Sequence, residues 1–291
     1  MTTLADDAEI ERLLATTTVT PPRQPLAGRH GEMLGRESGS SLEFQEFRQY
    51  VPGDDVRRVD WAAYARTQTL MVRRFRDEIS PTAEVVVDAS RSMTTQGGVK
   101  AELARRLAAF LTQAFARLGE RPRLIAHGAA ATVDGAGADP LARLDALTFD
   151  GAESLDGLLD RGGVLLRRNA FRIVISDLMF RHDPGRFARR VFGDANAGVL
   201  IQPLAAWEAD PTPLGGRRLI DAERNEAADL RIDAGRIAEY RTRLERLRRD
   251  SAAACRRYRT VFVPVIAEDG LTEICRGPLT EAGLLRMKAE G

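Results

Sequence analysis

Cysteine is almost absent from this 291-residue chain: Cys255 and Cys275 stand twenty residues apart with no partner close to either. That spacing fits neither a disulfide scaffold nor a CxxC redox motif. Histidine is nearly as scarce. His30, His127 and His182 are scattered, without HxxxH or Cys/His spacing, which argues against a zinc site. Lysine occurs only at positions 100 and 288, so arginine supplies all but two of the 43 basic residues, a skew read as genomic composition rather than function. An excess of one charge is lacking too. The formal net charge of +1 leaves no global field to draw in nucleic acid or an anionic membrane. No apolar run approaches the roughly 18 residues needed to span a bilayer. The N-terminal MTTLADDAEIE is acidic and polar. The expectation is a cytoplasmic protein without membrane insertion. Walker A, GxGxxG and GxSxG motifs are missing as well, which removes the common signatures of nucleotide and acyl-transfer enzymes.

What is there divides into segments. Apolar residues at 44% and charged residues at 29% are ordinary for a globular chain, and the length suits one domain plus a smaller module. Residues 1–27 hold a short helical stretch (Ile10, Leu13, Leu14) and then the Pro/Thr linker TTTVTPPRQPL. Residues 28–81 read as a small β-rich module. Alternating LEFQEFRQY and LMVRRFRDE suit strands, and YVPGDDVRRVDW between them carries a Pro-Gly-Asp turn. From residue 82 to 270 the pattern becomes strands alternating with helices, followed by a C-terminal tail at 271–291. AEVVVD and FRIVISD are near-continuous apolar runs, as for strands covered on both faces. AGVLIQPLA and RTVFVPVIA add further strands, and RPRLIAHG with ATVDG suggests an edge hairpin. VKAELARRLAAFLTQAFARLG has helical spacing. A second amphipathic helix places Ile237, Tyr240, Leu244, Leu247, Ser251, Ala254 and Tyr258 on one face. Strands separated by helices predict parallel crossovers: an α/β fold with a doubly wound, mostly parallel sheet of Rossmann type.

The first buried strand ends in VVVDASRSM, which presents Asp88, Ser90 and Ser92 within one turn, and the second ends in Asp177. In open parallel sheets, ligands bind beyond the carboxyl ends of the strands, so both aspartates belong to that edge. Two carboxylates and two hydroxyls suit a small hard cation such as Mg²⁺, with Ca²⁺ or Mn²⁺ as alternatives. Neutral serines leave net positive charge on the metal for an outside anion, a docking site for a partner's carboxylate. The DASRS stretch resembles the DxSxS signature of von Willebrand factor A domains and their metal-ion-dependent adhesion site, and IVISD resembles the strand carrying the second aspartate. The resemblance implies a loop threonine as a further ligand. The matching stretch GAESLDGLL puts Glu153 at that place, with Ser154 beside it. The longer run GRHGEMLGRESGSSLEFQEFRQYVPGDDVRRVDWAAYARTQTLMVRRF, with LIDAERNEAADLRID later, resembles bacterial proteins of the domain of unknown function 58 family. That resemblance implies a von Willebrand factor A-like domain and, as partner, a MoxR-type AAA+ ATPase or its client.

Each motif has a plainer reading. Asp88, Ser90 and Ser92 could cap a turn and the following helix, and Asp177 could pair with Arg172 or Arg181. Glu153 and Ser154 could start a helix. The PGDD stretch could be a rigid corner, with Asp54, Asp55 and Asp60 bonding turn amides or Arg57 and Arg66, and Trp61 buried. The arginines of the long helix, diluted by Glu239, Glu245 and Asp250, read as a solvated face rather than a nucleic-acid surface. An aspartyl phosphoryl-transfer enzyme would want a lysine beside Asp88, and none lies between Lys100 and Lys288. The expectation is therefore a non-catalytic, metal-gated protein-binding module. A Mg²⁺-dependent hydrolase or phosphoryl-transfer enzyme and a purely structural domain remain as alternatives.

Overall fold

The computed structural model describes residues 3–20, 42–51, 59–77, 82–120, 122–127, 131–133, 139–162, 165–212, 215–220 and 227–288. They fall into two units, Pro25–Ser80 and the remainder, Met1–Gln24 with Pro81–Gly291.

In the larger unit the chain opens with helix α1 (Ala8–Thr16), capped by Asp7, and a short strand β1 (Thr17–Val19). The smaller unit holds strand β2 (Leu42–Gln49), helix α2 (Trp61–Thr67) and strand β3 (Met71–Asp77). β2 and β3 pair antiparallel, with an irregularity between Phe44 and Glu46. Asp60 caps α2, its carboxylate accepting the Ala63 amide at 2.9 Å. The expected burial of Trp61 is not met: the ring is 61% exposed and sits edge-on to Tyr64. As the first residue of α2 it follows the cap, where the helix side chains are not turned inward by the apolar period. The Pro-Gly-Asp turn, with Asp54, Asp55 and Arg57, lies outside the described residues.

The larger unit continues with β4 (Ala83–Asp88), α3 (Val99–Ala116), β5 (Arg123–His127), β6 (Ala131–Val133), α4 (Pro140–Asp145), α5 (Leu155–Asp160), β7 (Phe171–Ile175), α6 (Pro184–Phe192) and β8 (Ala197–Leu204). Then follow α7 (Ala206–Ala209), β9 (Gly215–Ile220), β10 (Ala227–Ile232), α8 (Ala234–Arg256), β11 (Thr260–Ile266), α9 (Gly270–Arg276), α10 (Pro278–Glu281) and β12 (Leu285–Met287). β9 and β10 form an antiparallel hairpin that the sequence reading did not anticipate.

Six strands make the main sheet in the order β11-β8-β7-β4-β5-β6, parallel throughout except for β6 on β5. The expected edge hairpin is thus present, and the sheet is doubly wound. The order in which the chain adds strands reverses between β4 and β7, the switch point where such sheets bind ligands. Strand alternation divides the core. Val85, Val87, Ile173 and Ile175 face one layer with α1 and α3, while Val86 and Val174 face the other with α6 and α8. At the amino ends of the strands, buried Glu84 accepts Arg172 Nη2 at 2.7 Å and Arg123 Nη1 at 3.0 Å. This network sits at the opposite end of β4 from Asp88.

The terminal segments depart from the expected boundaries. Residues 271–288 are no tail: Leu271, Ile274, Cys275, Leu279, Leu284 and Leu285 join the same core layer as Ile10, Leu13 and Leu14 of α1. β12 pairs antiparallel with β1 and ties the two ends of the chain together. α1 and α9 are each too short to fold alone, and burying their apolar faces against α3 is what orders them.

Candidate metal centre

β4 delivers Asp88 to the sheet's carboxyl edge fully buried, because a strand with core on both faces has no solvent side at its end. Its Oδ1 accepts the Ser90 amide at 3.0 Å and its Oδ2 the Ser176 hydroxyl at 2.6 Å. The chain then bridges to Gly151, with Gly151 donating to Ala89 and Arg91 donating back to Gly151. This holds Ser90 and Ser92 with their hydroxyls 3.1 Å apart. Ser92 Oγ donates to Asp177 Oδ1 at 3.2 Å, so the two motifs, 85 residues apart in the chain, meet. Asp177 Oδ1 also accepts the Met179 amide at 3.0 Å across Leu178, a non-glycine residue held at φ 57°.

Burial pushes the Asp88 carboxyl above its ordinary range and the Asp177 charge pushes it further, against the hydrogen bonds from Ser176 and Ser90. Two carboxylates in one dry cleft favour a neutral form of the first or a nearby cation.

A cation is there. Lys100, fully buried in the first turn of α3, donates to Asp177 Oδ2 at 2.7 Å and to Glu208 Oε1 at 2.8 Å. Gly97 and Gly98, at φ near 79° and 80°, make the left-handed turn that aims α3 this way, a backbone that L side chains rarely adopt. Glu208 is itself held: Oε1 accepts the Thr95 hydroxyl at 2.8 Å and Oε2 the Ala205 amide at 3.0 Å. From β8, Gln202 donates to the Asp177 carbonyl at 3.0 Å.

Asp88, Ser90, Ser92 and Asp177 are therefore brought together. Asp177 pairs with Lys100, not with the arginines considered for it; Arg172 is taken by Glu84. The other two candidates have different engagements. Ser154 caps α5 by accepting the Gly157 amide at 3.2 Å, and Glu153 pairs with Arg161. A helix start needs an oxygen acceptor at its cap, and that demand uses the serine. Among the described residues, no group of three or more His, Cys, Asp or Glu side chains is placed to hold a metal. The donor set is two carboxylates and hydroxyls. Lys100, Thr95, Ser176 and Glu208 were missed in the sequence. The one available signal was composition: in a chain that otherwise uses arginine, a lysine at position 100 is an exception.

The family model for "Protein of unknown function DUF58" matches residues 46–254, from β2 through almost all of α8. The chain belongs to that family. Uncharacterized proteins of Mycobacterium tuberculosis and Mycobacterium bovis are 38% identical over 130 residues, 44% of this chain and 41% of theirs. The match thus spans about two fifths of those curated relatives. Among solved structures, a conserved hypothetical protein BatB from Bacteroides thetaiotaomicron is 12% identical with a TM-score of 0.35, covering 64% of this chain and 90% of that one. An aerotolerance-related membrane protein from Bacteroides fragilis is 11% identical with a TM-score of 0.37, covering 69% and 99%. No helix among the described residues of this chain is long and apolar enough to cross a membrane.

Proposed function

We propose that this family member is a non-catalytic binding module that engages an acidic side chain of a partner protein through a divalent cation, Mg²⁺ first, at the β4–β7 edge. The observation that carries the reading is the convergence on Ser92 Oγ of Ser90 Oγ at 3.1 Å and Asp177 Oδ1 at 3.2 Å, with Asp88 behind them. Adjacent ligands of octahedral Mg²⁺ lie about 2.9 Å apart, so the spacing fits with little adjustment. Ser90, Ser92 and Asp177 would hold the ion, and its residual positive charge would attract a carboxylate. Ser92 alone of the four has any exposure, so a partner's acid reaches the site over that residue. The family resemblance suggests a MoxR-type AAA+ ATPase or its client as partner. Capture of a purified MoxR-type ATPase by the immobilised chain, with Mg²⁺ and with EDTA, tests this. Loss of the complex in EDTA is expected, and equal capture in both would overturn the metal-gated reading.

One observation favours a second reading. Lys100 supplies beside the acids the ammonium whose apparent absence had argued against phosphoryl transfer with Asp88 as nucleophile. Asp88 is fully buried, each of its oxygens held by a hydrogen bond from the Ser90 amide or the Ser176 hydroxyl, so a substrate has no access to it and binding is the better reading. Mg²⁺-dependent turnover of a phosphate ester by the isolated chain, lost in Asp88→Asn, would reverse that order.

A further inference from the structure

We infer that Lys100 is the affinity-setting residue of this centre: its ammonium competes with the divalent cation for Asp177 and withdraws to Glu208 when the cation binds. This rests on the metal-binding reading above and specifies how that site is regulated.

Three features carry it. The ammonium sits 2.7 Å from Asp177 Oδ2, on the same carboxylate whose other oxygen accepts Ser92, so it already neutralises one of the cation's ligands. A buried ammonium cannot simply be released, since an unpaired charge in a dry interior is strongly unfavourable. Glu208 removes that obstacle. It lies 2.8 Å from Nζ and is locked by Thr95 and the Ala205 amide, so Lys100 can give up Asp177 and keep a full counter-charge. An arginine could not do the same. Its guanidinium is a broad planar fork that holds a carboxylate at two points, whereas an ammonium on a flexible stem can shift between acids. That accounts for a buried lysine in a chain whose other basic residues, Lys288 apart, are all arginine. The centre then has two states, ammonium-closed and metal-open, and cation concentration chooses between them.

The prediction has a direct readout, because the full chain contains only two lysines. Isotope-labelled lysine Nζ therefore gives two ammonium resonances, and Lys288, bonded to the Leu14 carbonyl at 3.0 Å, is an internal control. Titration with Mg²⁺ should shift the Lys100 resonance along the binding curve and leave that of Lys288 in place. By calorimetry, Lys100→Met should bind Mg²⁺ at least about tenfold more tightly, since removing a neighbouring positive charge at this distance is worth that much even at high effective dielectric. A wild type that does not respond to Mg²⁺ beside a Lys100→Met that does would also support the inference, as the closed state taken to its limit. Mg²⁺ binding to the wild type that leaves the Lys100 resonance unmoved, or equal affinities in the two proteins, would overturn the competition while leaving the metal site standing. If neither protein responds to Mg²⁺, both the competition and the metal-binding reading fall. Should Lys100→Met not fold, the wild-type resonance decides alone.

Discussion

Asp88 has the most unfavourable position of any acid at the centre, buried at a strand end and beside a second carboxylate. Asp88→Asn keeps the shape and removes the charge. Its metal-free melting midpoint should rise, and the Mg²⁺ stabilisation should be reduced but not lost, since Asp88 stands behind the three ligands and contributes charge rather than a bond to the ion. If the ion binds as proposed, that stabilisation in the wild type would be about 2.7 kcal/mol at a hundred times the dissociation constant. Thermal unfolding across a Mg²⁺ titration checks both. Glu153 offers the opposite expectation. Because it pairs with Arg161, Glu153→Thr should leave the Mg²⁺ response unchanged in the same measurement. At the other end of β4, Arg172→Met strips the buried Glu84 of its main partner. Breaking such a pair typically costs about 3–5 kcal/mol, readable by urea unfolding.

At the scale of elements, the feature with the clearest pH dependence is α1. Burial disfavours ionisation of Asp7, but hydrogen bonds from Arg106 and from the Glu9 and Ile10 amides outweigh it and lower its pKa. Glu9 is lowered chiefly by the Thr272 hydroxyl, again with Arg106. Arg106 belongs to α3 and Thr272 to α9, so the two acids tie α1 to both neighbours. A lowered carboxyl pKa contributes stability above its unfolded value and loses it as pH falls through the folded one. Asp7→Asn should therefore melt below the wild type at about pH 7. The gap should close in acid, as pH falls through the lowered folded-state value of Asp7, below the ordinary carboxylate range, and both proteins become neutral at that position. Parallel melting curves over that range, with an unchanged gap, would show that the cap hydrogen bonds and not the charge hold α1.

For the whole molecule, the two cysteines report on global opening. Cys255 in α8 and Cys275 in α9 are both buried, each in a different core layer, and burial pushes both thiols up to about 12. A thiolate is the reactive form, so neither should react in the native state near neutral pH. Both should label together, at the rate of cooperative unfolding, when the chain is followed by mass spectrometry in a thiol reagent. Earlier labelling of Cys275 would instead reveal that the terminal layer of α1, α9 and β12 opens by itself.

The amino-acid sequence alone determined the α/β class, the alternation of strands and helices, the hairpin at the sheet edge and the two aspartates on its carboxyl side. These depend on period and local runs: AEVVVD and FRIVISD carry their burial on both faces in composition. It also carried the convergence of Asp88, Ser90, Ser92 and Asp177, because strand ends in a parallel sheet share one edge. Tertiary structure decided what surrounds them. Lys100 and Glu208 lie 108 residues apart and meet only because a left-handed glycine turn aims α3 at the end of β8. Glu153 was drawn to Arg161, eight residues along the chain, rather than into the centre. The terminal residues joined the core because β1 pairs with β12, a contact between strands of three residues each that no periodicity could announce. Local pattern is set by a residue's neighbours in the chain, whereas the partner of a buried charge is set by how distant elements pack, and in this protein the second decides that Asp177 is paired with Lys100.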